Sequence, residues 1–185
     1  MPPWSNLGCC MAGACSTKVL VAVAMAGEHL QITAQTCLGW RPLGREMTVT
    51  GIDGMRITSI DYQPALEVYR RYINVEKLED FGLISAEFPF LFNTDNGIVA
   101  RVPIATGTDG ALVFMANIEV GEKFRIGYGD PQEMLDTTGD IHRAMRTFAP
   151  EGILVFSCGC RRYLMQEDVE RETLPFETIA TTAGF

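Results

Sequence analysis

Residues 151–165 read EGILVFSCGCRRYLM. The short run Ile153-Leu154-Val155-Phe156, with β-branched and aromatic members, predicts a strand buried on both faces at the centre of a sheet. It stops at Ser157-Cys158-Gly159-Cys160-Arg161-Arg162. A hydroxyl, two thiols and two guanidinium groups are thereby expected at one sheet edge. Apolar support beneath a polar, basic tip is how a rigid scaffold presents a site.

The segments on either side predict what surrounds that strand. Upstream, Asp130-Pro131-Gln132-Glu133 is a helix start, with Asp130 as cap, Pro131 in the first turn and Glu133 closing a capping box. Met134, Leu135, Ile141, Met145 and Phe148 form that helix's buried stripe, with His142 beside it. Downstream, Glu167 to Leu174 reads as a short acidic helix stopped by Pro175, and Ile179 to Phe185 as a last strand.

Further upstream, Thr17–Met25 and Leu30–Cys37 read as two strands of a hairpin turning at Gly27-Glu28. Gly39-Trp40-Arg41-Pro42-Leu43-Gly44 reads as a defined loop, because two glycines and a proline interrupt regular structure. Met47–Gly51 and Met55–Ile60 form a second hairpin around Asp53-Gly54, a type I′ signal. Pro64 opens a helix with Leu66, Tyr69, Tyr72 and Ile73 on one side and a Glu67–Arg71 pair on the other. Residues 74–96 read as irregular, with Phe88-Pro89-Phe90 as an apolar plug. Gly97–Ile104, Ala111–Ile118 and Lys123–Tyr128 read as a three-stranded meander. The fold class expected is α+β, a mainly antiparallel sheet with two to three packed helices.

The 185 residues suffice for one domain with a core, or for two small ones. A net charge of -8 argues against a nucleic-acid surface, which would normally be basic. No apolar run reaches the length of a membrane span, and the first residues lack the basic region of a signal peptide. The expected location is cytoplasmic. The six cysteines show no disulfide framework and no four-ligand zinc spacing, which favours free thiols.

No G-x-S-x-G, G-x-x-x-x-G-K or H-E-x-x-H pattern is present, so no enzymatic activity is expected. His29 reads as exposed at a hairpin edge and His142 as a hydrogen-bonded packing residue, with a haem-ligand role as the rarer alternative. Cys158 could be a thiolate activated by Arg161 and Arg162, but lacks an obvious base. Arg101, inside an apparent strand, requires a carboxylate partner or an anionic ligand.

Several stretches resemble the FIST sensory domain of bacterial signalling proteins. Phe156-Ser157-Cys158-Gly159-Cys160-Arg161 is similar to the family's phenylalanine-Ser-Cys-x-x-Arg stretch. Gly39 to Gly44 resembles its G-x-R-P-x-G loop, and Pro64 to Tyr69 the P-A-L-E-V-Y start of its C-terminal half. Val99-Ala100-Arg101 resembles an arginine-bearing strand, Val120-Gly121-Glu122 a V-x-E-G-E-like turn, and Ala183-Gly184-Phe185 the start of a G-F-x-x-Y-G-E close. Their order and spacing run from about residue 15 to the end of the chain.

Residues 1–15 show no clear period and are expected to be poorly ordered; the resemblance implies the end of the family's N-terminal half over 16–60 and its C-terminal domain over 61–185, truncated at its end. It implies a small-ligand sensor, binding an amino acid or similar metabolite through Arg41, Arg101, Ser157, Cys158 and Arg161. No metal or cofactor is implied, with haem on His142 for nitric-oxide or redox sensing as the alternative. The implied partner is an output domain, a diguanylate cyclase, histidine kinase or chemotaxis transducer, in the same or a partner chain. A truncated domain would expose apolar area, so low solubility and a gain from extension past Phe185 are expected.

Overall fold

A computed structural model of the chain describes residues 9–11, 14–16, 24–73, 81–95 and 97–184. It divides into a small unit, residues 1–34, and a larger one, residues 35–185. In the small unit, β1 (Cys9–Met11) and β2 (Ala14–Ser16) pair antiparallel, with Cys10 opposite Cys15. The Gly27 carbonyl accepts from the Leu30 N–H at 3.2 Å, so the turn forms where expected. Most of the strand expected over Thr17–Met25 lies outside the described residues. The returning strand over Leu30–Cys37 is absent, and residues 30–39 carry no regular structure. Leu30 and Ile32 are 44% and 75% exposed. Alternation makes a strand only when one face has something to be buried against.

In the larger unit, eight strands form one sheet. Its path runs β7 (Gly97–Arg101), β6 (Phe90–Thr94), β10 (Lys123–Gly129), β3 (Trp40–Asp53), β4 (Arg56–Ile60), β9 (Leu112–Phe114) and β8 (Pro103–Thr106), and the short β5 (Gln63–Pro64) also pairs with β4. Every pairing in it is antiparallel. β7 and β8 stand at opposite ends of this path, yet only Val102 separates them in the chain. Two Cα steps of about 3.8 Å cannot span a flat sheet, so the sheet curls until its two ends meet. Register shifts at Phe124–Ile126 and at Val49–Gly51–Ile52 supply the bends.

The sheet class is as expected, but its wiring is not a meander. β10 inserts between β6 and β3 rather than lying beside β9. The stretch 74–96 contains regular structure: helix α2 (Phe81–Glu87) and strand β6. Gly39–Gly44 is not a loop, because β3 begins at Trp40 and pairs Arg41, Pro42 and Leu43 with Tyr128, Gly127 and Ile126. Pro42 is tolerated because β4 pairs only from Val49 onward, and among the described residues no strand pairs with this edge of β3. The β3–β4 hairpin forms, but its turn is Gly54-Met55. Only Gly54 has positive φ, so it is not type I′, which needs both.

The core inside the curl is aromatic. Phe90 stacks on Phe124 with centroids 4.2 Å apart, and meets Phe114 at 5.2 Å and Tyr69 at 5.4 Å, edge-on. Tyr69 lies on helix α1 (Ala65–Arg70), capped by Pro64, and donates to the Phe88 carbonyl at 2.7 Å. Burial pushes its hydroxyl pKa up, which keeps it a donor. Arg71, expected to pair with Glu67, donates instead to Gln63.

The largest correction concerns Ile153–Phe156. β11 (Gly152–Val155) is not central and not buried on both faces. It pairs in parallel with β12 (Thr181–Gly184) in a separate two-stranded sheet. Leu154 is 63% exposed and Phe156 69%. An apolar run indicates a strand but does not say how many neighbours it will have.

Three helices accompany this pair: α3 (Pro131–Phe148), α4 (Gly159–Met165) and α5 (Val169–Glu177), with a 3-10 turn at Gln166–Asp168. Asp130 caps α3 as expected, accepting from the N–H groups of Gln132 and Glu133. Of the expected stripe, Met134 and Met145 are buried, whereas Phe148 is 38% exposed. Pro175 does not stop α5 but lies inside it, two residues before the end.

Candidate functional site

Strand β11 delivers Phe156 to Cys158 into the start of α4, with Cys158 in the capping position. Arg161 therefore falls in the first turn of a helix and points inward rather than off a sheet edge. It is 4% exposed. Its Nε reaches Glu172 Oε1 at 2.6 Å and its Nη2 the same oxygen at 2.5 Å. Nη1 donates to the Leu38 carbonyl at 2.8 Å, and Nη2 to the Met134 carbonyl at 3.2 Å and Thr138 Oγ1 at 3.1 Å. Glu172, on α5, is 7% exposed, and its Oε2 accepts from Ser157 Oγ at 3.3 Å.

Burying two opposite charges costs several kcal/mol per ion, and only excellent geometry with further hydrogen bonds offsets it. Here the Coulombic pair is supplemented by two carbonyls and two hydroxyls. The pair ties the segment before β3, α3, α4 and α5 to one point. Gly39 belongs to the same point. Its φ is +76°, and a Cβ there would lie 2.3 Å from Met134 Cγ and 2.9 Å from Arg161 Nη1. The glycine is where the chain passes α3 and the guanidinium.

Arg41 lies two residues beyond Gly39, on β3. Its side chain is 61% exposed and its Nη2 pairs with Glu133 Oε2 in the first turn of α3. Glu133 therefore does not close the capping box. Arg41, Ser157, Cys158 and Arg161 are thus linked through Glu133, Met134 and Glu172. Arg101 stands elsewhere: it pairs with Glu122 Oε2 at 3.1 Å, and its guanidinium lies 4.7 Å above the Phe92 ring. A shallow groove lined by Glu167, Glu170, Arg171, Leu174, Pro175 and Thr178 includes none of the five.

Cys158 is exposed and Cys160 half-buried. The neighbouring Cys160 thiol as a proton donor, more than the N–H groups of Cys160 and Arg161 and the Arg161 charge, lowers the Cys158 pKa to about 5 against the cost of burial. Holding that shared proton, with burial, pushes Cys160 up. His142 is distant in its contacts: a ring nitrogen lies 3.1 Å from the Pro175 carbonyl, and the ring meets Phe176 edge-on.

Glu172, Thr138 and Leu38 did not stand out in the sequence. A signal for Glu172 exists: Val169, Glu172, Thr173 and Phe176 follow i, i+3, i+4, i+7, which puts a lone carboxylate on the apolar side of its helix.

No helix among the described residues is long and apolar enough to cross a membrane. Comparison with curated proteins and with solved structures found no match. Comparison with protein-family models matches residues 6–63 to the FIST N domain and residues 65–185 to the FIST C domain. The junction falls at Pro64, where α1 begins; the C-domain match contains Ser157, Arg161 and Glu172, and the N-domain match contains Leu38, whose carbonyl accepts from Arg161. The chain belongs to the FIST family of signal-transduction sensory domains.

Proposed function

We propose that this domain binds a small zwitterionic metabolite of the amino-acid class and acts by binding rather than catalysis. It would work in the cytoplasm and pass the signal to an output domain, such as a cyclase, kinase or chemotaxis transducer, in the same or a partner chain. The observation that supports the ligand class is the exposed Arg41–Glu133 pair. A guanidinium fork matches a carboxylate bidentately. A zwitterion entering between the two side chains exchanges one ion pair for two, giving its carboxylate to Arg41 and its ammonium to Glu133. Ser157 and Cys158, held beside the Arg161–Glu172 pair, would supply further polar contacts. Arg161 has its donors occupied by protein groups and acts as support behind the site.

The test is calorimetric titration of the full chain with a panel of amino acids, 2-oxo acids and simple amines. Binding of an amino acid is expected, weakened about tenfold or more by Arg41→Ala and by Glu133→Gln, as a lost charge-assisted bond of roughly 1.5–3 kcal/mol implies. The oxo acid and the amine should each bind more weakly than the zwitterion. Binding that ignores both substitutions overturns the site. A Soret band on adding haem, lost in His142→Ala, would favour the haem alternative.

A further inference from the structure

We propose that Cys158 and Cys160 are a reversible dithiol–disulfide pair, oxidised by a hydroperoxide. Three observations place the chemistry. Cys158 caps α4 and Cys160 is its second residue, so the helical backbone of Gly159 brings their Cα atoms together. Cys158 faces solvent, whereas Cys160 packs at the edge of the apolar cluster of Trp40, Leu91, Met134 and Met165. Gly159 lies between them where β11 gives way to α4, so the backbone that must bend to close the ring is the least hindered type. A disulfide needs Cα atoms roughly 4.4–6.8 Å apart. Two Cα steps of about 3.8 Å, shortened by the turn into a helix, fall in that range.

The exposure sets the order of events. The Cys158 thiolate attacks one oxygen of the hydroperoxide. The O–O bond breaks, hydroxide (or alkoxide) leaves, and Cys158 becomes a sulfenic acid. Cys160 sulfur then attacks the Cys158 sulfur, the S–O bond breaks, and the departing hydroxide takes the Cys160 proton to leave as water. Two electrons from the two sulfurs have reduced the peroxide, and an external dithiol reverses the change. The depressed pKa of Cys158 agrees with this order, because the thiolate is the nucleophile. Ser157 and Arg161 flank the pair and both hold Glu172, so ring closure strains the point that joins α4 to α5.

Both cysteines fall on one tryptic peptide, Thr147–Arg161, which carries none of the other four. The full chain is treated with hydrogen peroxide at neutral pH, alkylated and digested. The expected result is recovery of that peptide unalkylated and lighter by two hydrogens, becoming doubly alkylated after dithiothreitol. In Cys160→Ser the sulfenic acid at Cys158 has no resolving thiol and should be trapped by dimedone. A second reading uses the unoxidised chain. Alkylation of Cys158 should change less than about twofold between pH 6 and 8, where an ordinary thiol of pKa ~8.5 changes nearly a hundredfold. Complete double alkylation after peroxide, or a Cys158–Cys37 cross-link in place of the ring, overturns the proposal.

Discussion

The curled sheet and the β11–β12 end of the molecule are held together in opposite ways. In the sheet, Phe90, Phe92, Phe114 and Phe124 interlock with Tyr69 of α1 at centroid distances of 4.2 to 5.4 Å, and the strands that carry the phenylalanines hide their apolar faces inside the curl. At the other end, the most apolar strand is half out in solvent and a charged pair lies beneath it. Apolar composition therefore locates a buried residue only where the topology supplies a second layer. A charge goes inside where a partner and enough acceptors converge on it.

Removing the central ring of the sheet should give the largest effect. Phe90 is fully buried and touches three other aromatic rings. Phe90→Ala leaves a cavity that closely packed neighbours fill poorly, and should cost about 3–5 kcal/mol in urea unfolding. A loss under about 1.5 kcal/mol would mean that the sheet does not close around it.

The charged pair should respond differently to single and double substitution. Glu172→Gln leaves the Arg161 guanidinium buried without its counter-charge and should destabilise by about 3 kcal/mol. Arg161→Met with Glu172→Leu removes both charges and keeps the volume, and should recover most of that loss. The two regions would then be distinguished by a cycle: the aromatic contacts lose more as more is removed, the ionic one less. Additive losses in the double variant would show that Arg161 contributes by packing its stem.

The legible parts of the sequence were those whose signal is local. The Asp130-Pro131 cap of α3 and the β3–β4 hairpin depend on neighbours a few residues away, and they formed. The insertion of β10 between β6 and β3 depends on pairings across tens of residues, and no spacing announced it. For the site, Arg41, Ser157, Cys158 and Arg161 stood in recognisable motifs, but their connection runs through Glu172 and two backbone carbonyls, which have no motif. Arg101 was read as needing a partner, and the carboxylate it found is Glu122, a half-buried residue just after the turn at Val120-Gly121.

The smallest expected effect tests the correction itself. If the run Ile153–Phe156 were a central strand, Leu154→Ala would cost as much as any core truncation, about 2–5 kcal/mol. With Leu154 63% exposed, little apolar area returns to water on truncation, and what is lost is mainly strand preference, on the order of 0.5 kcal/mol. Ile153, half-buried on the opposite face, should fall between, near 1 kcal/mol on truncation to alanine. Ile57→Ala, at a fully buried position of β4, supplies the upper reference at about 3 kcal/mol. All three are read from the urea midpoint at a common slope, so that a change in the denatured state is visible as a change in slope. A Leu154→Ala loss near that of Ile57→Ala would mean that the outer face of β11 is covered in solution. The contrast between the two regions would then lie in what is buried against each strand and no longer in how much.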